Sequence, residues 1–174
     1  MSKTTAGPST RHEERTVFVD AFPEDVFAFA DDHEKFSEHM GSSSWMMLGS
    51  RMTTTLDDRR GQEIGAHITM TGRILGIPLD LDEVVVERVA PWAKVWQTVG
   101  TPRLLVIGAY RLGFQVLRHE HGSAFRVFID YERPIRHRWL GDLMGGMYAR
   151  WCVDQMTKSV TRRFRRRRTE RSVR

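Results

Sequence analysis

"RTVFVDAFPEDVFAFADD" runs from Arg15 to Asp32 and holds two different periods side by side. "RTVFVD" (Arg15 to Asp20) is rich in β-branched and aromatic residues and predicts a strand. Pro23 suits the first position of a helix, and Glu24 and Asp25 suit the positive end of its dipole. Phe22, Val26, Phe27 and Ala30 recur at helical spacing. "HEKFSEHM" (His33 to Met40) then reads as a second short helix beside the first, stopped by "GSSS" (Gly41 to Ser44).

From Trp45 to Pro134 the alternation changes to period two, with turn residues between the runs. Met46, Leu48, Met52 and Leu56 share one face, as do Ile64, Ala66, Ile68 and Met70. In the next run Leu79 and Leu81 fall out of step with Glu83 and Glu87, which predicts a bulge. Trp96 lies centrally in "WAKVWQTVG". Tyr110, Leu112, Phe114 and Val116 align in one strand, and Phe125, Val127, Ile129 and Tyr131 in another, joined by "HEHG". One apolar and one polar face is the mark of an antiparallel sheet covered on one side. The cover is the segment from about Arg138 to Arg168, which returns to helical spacing. Opposite charges there lie four apart at Arg138/Asp142, Arg150/Asp154 and Asp154/Lys158, as on a solvated stripe. The expected architecture is α+β: one strand, two short helices, about six further strands, and a long C-terminal helix around which the sheet curves.

This order resembles the START-like, helix-grip superfamily, within it the polyketide cyclase/dehydrase and lipid-transport (SRPBCC) group. The likeness is carried by "VFVDAFPEDVFAFADDHEKF", "GRILGIPLDLDEVVVERVAP", "IGAYRLGFQV…GSAFRVFIDYERP" and the final "YARWCVDQM". The resemblance implies a deep, mostly apolar cavity between the sheet and the long helix. It does not choose among the carriers, receptors and cyclases of the superfamily.

The chain divides into a lead-in over 1–14, a ligand-binding domain over 15–161 and an Arg-rich tail over 162–174. The net charge of +5 belongs to that tail, because Arg162 to Arg174 hold eight Arg and one Glu. The body before it is slightly acidic, so nucleic acid is not an expected partner of the domain. An anionic membrane surface suits an Arg cluster better. A single cysteine, Cys152, allows no internal disulfide and fits a cytoplasmic location. Cys152 reads as a small buried hydrophobe rather than a nucleophile. His119 and His121 sit in a hairpin turn with no third ligand apparent, so no metal or other cofactor is expected. His12, His33, His39 and His137 read as surface residues.

The residues expected to line the cavity are Met46, Met52, Ile68, Met70, Trp96, Tyr110, Phe114, Phe125, Ile129, Tyr131, Gly141, Gly145 and Tyr148. Methionine and aromatic side chains suit an apolar ligand of irregular shape, and the tyrosines and Trp96 add polar handles. The same residues also fit a filled core. On these phases His67, Arg73, Arg111, Arg126, Asp130 and Glu132 point outward, leaving only tyrosine hydroxyls inside. No catalytic residue is assigned, because an unperturbed tyrosine is a poor base at neutral pH. The residues therefore favour a non-enzymatic binder or carrier of a lipid, quinone or polyketide-like molecule. The alternatives are a cyclase/dehydratase-type enzyme using Tyr110 or Tyr131 with bound water, and an interaction module with a closed core.

"LGDLMGGMYARWC" (Leu140 to Cys152) sets a further question. Glycine costs about 1 kcal/mol against alanine inside a helix. At 100° per residue Gly141, Gly145, Ala149 and Cys152 form one narrow strip, continued by Met156 and Val160, while Gly146 falls on the polar side. Such a strip either lets the helix press onto its neighbours or leaves space for a ligand, and the second reading is preferred.

Overall fold

The computed structural model describes residues 10–34, 36, 52–74, 77–100, 102, 104, 106–134 and 138–171. Seven strands form one antiparallel sheet: β1 (Arg11–Val19), β2 (Met52–Leu56), β3 (His67–Ile74), β4 (Ile77–Val89), β5 (Ala93–Thr98), β6 (Tyr110–His119) and β7 (Gly122–Tyr131). Their order is β1-β7-β6-β5-β4-β3-β2. From β2 to β7 each strand thus pairs with its successor, and the first strand closes against the last. α1 (Pro23–Asp31) follows β1, and α2 (Arg138–Arg171) ends the described chain, the sheet wrapping partly around it.

The expected strand, helix, strands, long helix order is present. The second short helix, expected over His33 to Met40, lies largely outside the described residues, as does the run from Trp45 to Arg51 that carries Met46 and Leu48. α1 starts as its sequence requires, with Pro23 in the first turn beside Glu24 and Asp25 and no side-chain cap. Its buried face is Pro23, Val26, Phe27, Ala30 and Asp31.

α2 runs through Arg171, so the Arg-rich segment continues its backbone. The small strip is its buried face: Gly141, Gly145, Ala149 and Cys152 lead into Met156, Val160 and Phe164. The charged stripe is largely exposed, as expected, and it also pairs with β1. β1 is an edge strand whose inward residues Arg11, Glu13 and Arg15 reach the helix. Arg11 meets Asp142 at 2.7 Å, Glu13 meets Arg150 at 3.1 Å, and Arg15 pairs with Asp154. Lys158 holds Asp154 from the next turn, as its i,i+4 spacing predicts, whereas Arg150 turns to Glu13; the Arg138 side chain lies outside the described residues. These pairs explain why the first half of β1 carries charges on its inner row, before Val17 and Val19 join the core. The bulky residues Trp139, Leu143 and Met147 face solvent instead.

The bulge expected in β4 is present. The register with β5 slips between Val85 and Glu87. Leu81, Glu83 and Val85 therefore stay in phase on the inner face, and all three are buried. Beyond the slip Arg88 pairs with Lys94 and shares that face.

Candidate functional site

Glu83 is the residue that the strand phase forces inside. It has no exposed surface, and its strand neighbours on that face are Leu81 and Val85. A carboxyl removed from water is costly unless it is neutral or hydrogen-bonded. Tyr110 of β6 donates its hydroxyl to Glu83 Oε1. Burial nevertheless dominates and pushes the Glu83 carboxyl up to about 7, against the opposing pull of the Tyr110 hydroxyl and the Trp96 indole. Oε2 has no hydrogen-bond partner among the described residues. The Tyr110 hydroxyl is itself driven well above its ordinary range, by burial first and then by the Glu83 charge. It is a donor at neutral pH and not a base.

α2 supplies the other side of this cluster. Tyr148 and Cys152 lie one turn apart, and both couple electrostatically to Glu83. The Cys152 thiol is pushed up to about 12, chiefly by burial, so it is an inert neighbour rather than a nucleophile. Tyr148 is half-buried, with its ring 5.8 Å from that of Trp151. One carboxyl, two phenols and a thiol from β4, β6 and α2 thus form one polar cluster of the interior. A carboxyl that is half ionised near neutral pH, held by a neutral phenol, can both take and return a proton.

The interior against α1 is closed by its own side chains. Phe114 meets Phe27 of α1 at 5.7 Å, Phe36 at 6.0 Å and Phe125 at 5.4 Å between ring centres. Phe29 stacks edge-on with both Phe36 and Phe164, joining α1 to the far end of α2. The bland reading of a filled core fits Phe114 and Phe125. A second buried polar group anchors α1 here. Lys94, with no exposed surface, donates to the Asp31 carbonyl at 2.9 Å and pairs with its carboxylate at 3.1 Å. Arg88 clasps the same carboxylate through Nε and Nη2 at 3.1 and 2.8 Å. Lys94 satisfies one of the last carbonyls of the helix, and both cations suit the negative end of its dipole. His33 stands edge-on to Trp96 at 5.5 Å and is buried, which corrects its reading as a surface residue. Burial holds its imidazole down to about 3.

The glycines of α2 answer their question by contact. A Cβ on Gly141 would stand 2.3 Å from Pro134 Cδ, and one on Gly145 would stand 2.9 Å from the Val106 carbonyl oxygen. Both positions let α2 press onto the segments before β6 and after β7, so the preferred reading of empty space under them gives way to close packing. Gly146 lies on the polar side, as expected. Its nearest neighbours are the Tyr131 hydroxyl at 3.6 Å and Glu13 Oε1 at 4.0 Å.

Of the residues expected to line a cavity, Ile68, Met70, Trp96, Phe114, Phe125, Ile129 and Tyr131 are buried in one core. Tyr110 and Tyr148 are half-buried against it. Met52 lies opposite Gly72 in the β2–β3 register, and Met46 is outside the described residues. His67, Arg111, Arg126 and Asp130 are on the outer face as expected, paired with Asp82, Glu87, Glu14 and His12. The expectation that only tyrosine hydroxyls point inward is corrected by Glu83 and Lys94. The signal for both was available: Glu83 alternates with Leu81 and Val85, and Lys94 precedes the inward Trp96 by two. Among the described residues no three His, Cys, Asp or Glu side chains converge as metal ligands, and no helix is long and apolar enough to cross a membrane.

The sequence matches no family model and no curated protein. Its fold is similar to that of norcoclaurine synthase from Thalictrum flavum. A point mutant of that enzyme in complex with a transition-state analogue aligns with a TM-score of 0.67 at 11% identity, over 94% of this chain and 99% of the other. The same enzyme in complex with dopamine and hydroxybenzaldehyde gives 0.64 at 12% identity, over 93% and 94%. The di-domain ARO/CYC protein StfQ of the steffimycin biosynthetic pathway gives 0.64 at 13% identity, over 92% of this chain and 52% of that one. The preference for a non-enzymatic binder is therefore corrected: these structurally similar proteins are a synthase and a cyclase by name, and the interior here carries an acid–base group. At these identities the likeness shows fold alone. The chain shares the helix-grip fold of these proteins, and no family is shown.

Proposed function

We propose that this protein is an enzyme of the cyclase or condensing type, acting on a small, largely apolar molecule held between the sheet and α2. The observation that carries the reading is Glu83: a fully buried carboxyl near neutral pKa, fixed through one oxygen by Tyr110 and with no hydrogen-bond partner for the other among the described residues. Ionised, it takes a proton from a substrate O–H, N–H or activated C–H. Protonated, it returns one to a departing oxygen as a ring or new bond closes. Tyr110 positions the carboxyl and remains a neutral donor. The surrounding aliphatic and aromatic side chains exclude water, which strengthens both roles. The kinship of fold with a synthase and an ARO/CYC protein supports this class of chemistry without fixing the substrate.

The test is turnover, followed by mass spectrometry, of two substrate classes: a poly-β-ketone mimic and an aryl-ethylamine with an aromatic aldehyde. Glu83→Gln keeps the shape and removes the proton carrier. Its rate on the accepted class is expected to fall by about 10²-fold or more, with ligand binding retained. A Glu83→Gln protein that turns over at the wild-type rate refutes the proposal.

A further inference from the structure

The two oxygens of Glu83 are not equivalent. Oε1 is engaged by Tyr110, and Oε2 is buried with no hydrogen-bond partner among the described residues. Buried acceptors in folded proteins are almost always satisfied, so an orphaned one asks what supplies its donor. Of the protein's nearby donors, the Trp96 indole pulls on the carboxyl but makes no hydrogen bond to Oε2, and the others are engaged. Thr98, cross-strand from Glu83, exchanges hydrogen bonds with the backbone of Tyr110 at 3.2 and 3.4 Å. Lys94, on the inner face of the next strand, is held by Asp31. The walls flanking the carboxyl on its own strand, Leu81 and Val85, offer no polar atom from their side chains.

We infer that Glu83 Oε2 is a specificity-determining contact: the site selects a ligand with an apolar body and a hydrogen-bond donor, hydroxyl or ammonium, at its inner end, and rejects carboxylates. This rests on the reading of Glu83 as the interior acid–base group and narrows the substrate class of that reaction. The donor satisfies the orphaned oxygen, and the apolar body replaces water along the aliphatic wall. A ligand carboxylate sets like charge against Glu83 and leaves its own oxygens without the donor they need. The same contact places the most acidic proton of the ligand on the oxygen that would accept it. Whether the donor is hydroxyl or ammonium is a matter of charge, which the experiment separates.

The test uses four ligands on one ring body: 2-naphthol, 2-(aminomethyl)naphthalene, 2-methylnaphthalene and 2-naphthoate. Each is titrated calorimetrically into the full chain at about pH 8. At least one of the two donors is expected to bind about tenfold or more tighter than 2-methylnaphthalene, with 2-naphthoate weakest. Glu83→Leu is expected to erase the donor preference, and Glu83→Gln to lift the penalty on the carboxylate. Circular dichroism confirms that each variant is folded, and Glu83→Gln serves where Glu83→Leu is not. Equal affinity for the donors and 2-methylnaphthalene, or ratios unchanged in both variants, overturns the inference while leaving the catalytic reading intact. Failure of all four ligands to bind overturns the interior as a ligand site, and both readings with it.

Discussion

Replacing the three glycines of α2 one at a time with alanine separates helix propensity from packing. Propensity alone makes every such change favourable by about 1 kcal/mol. The structure makes them unequal. At Gly141 the new methyl would sit 2.3 Å from Cδ and 2.7 Å from Cγ of Pro134, a ring that cannot rotate away. At Gly145 it would sit 2.9 Å from the backbone oxygen of Val106. Overpacking of this kind costs about 1–3 kcal/mol, which exceeds the propensity gain. At Gly146 the nearest atom is 3.6 Å away, an ordinary contact, so the propensity gain survives. Gly141→Ala is therefore expected to destabilise by roughly 1 kcal/mol net, and Gly146→Ala to stabilise by up to about 1 kcal/mol. For a domain of this size the two variants should differ in Tm by about 4–8 °C, on opposite sides of wild type. Urea denaturation and calorimetry both read this difference. If Gly141→Ala and Gly146→Ala shift stability in the same direction by the same amount, the close approach of α2 to Pro134 and Val106 is wrong.

Three further outcomes follow from the buried ionisable groups. Glu83 is raised from 4.5 to about 7, so its folded state favours the neutral form. Wild-type stability relative to Glu83→Gln should be greatest below about pH 4.5 and fall by roughly 3 kcal/mol as pH rises through 7, measured by urea denaturation at stepped pH. His33 is lowered from 6.5 to about 3 and so has the opposite sign: the stability tied to its neutral ring is present above pH 6.5 and drains away as pH falls toward 3. Acid titration of the unfolding transition should be distinctly shallower in His33→Gln. Lys94→Met strips one of two cations from buried Asp31, which keeps Arg88. It should destabilise by about 3 kcal/mol, and an unchanged midpoint in urea would show that Arg88 alone suffices.

Much of the architecture was legible because its signals are local and periodic. Pro23 with Glu24 and Asp25 announced α1, alternation announced the strands, and the small strip of α2 was identified as a distinct face. What escaped depends on phase across one irregular strand. The sequence sets Leu79 and Leu81 out of step with Glu83 and Glu87 without fixing where the strand slips, so Glu83 was not counted among the inward residues and the interior was left with tyrosine hydroxyls alone. The register slip lies after Val85, and one residue of slip exchanges the two faces. Lys94 escaped for another reason. A lysine between apolar residues reads as exposed unless its partner is known, and Asp31 lies 63 positions away in sequence. His33 escaped likewise, because its burial is set by Trp96 of β5. The pairing of the α2 charges with β1 escaped because nothing in the helix itself shows that Glu13 and Arg15 stand opposite.

The account turns on the state of one carboxyl. Carboxyl-carbon NMR across pH, with the Glu83 resonance assigned by its loss in Glu83→Gln, measures that state in the intact protein. The structure predicts a midpoint near 7, moving higher in Tyr110→Phe as the donor to Oε1 is removed. A midpoint at the ordinary glutamate value of 4.5 would place Glu83 in water and remove the acid–base group on which the proposed chemistry rests.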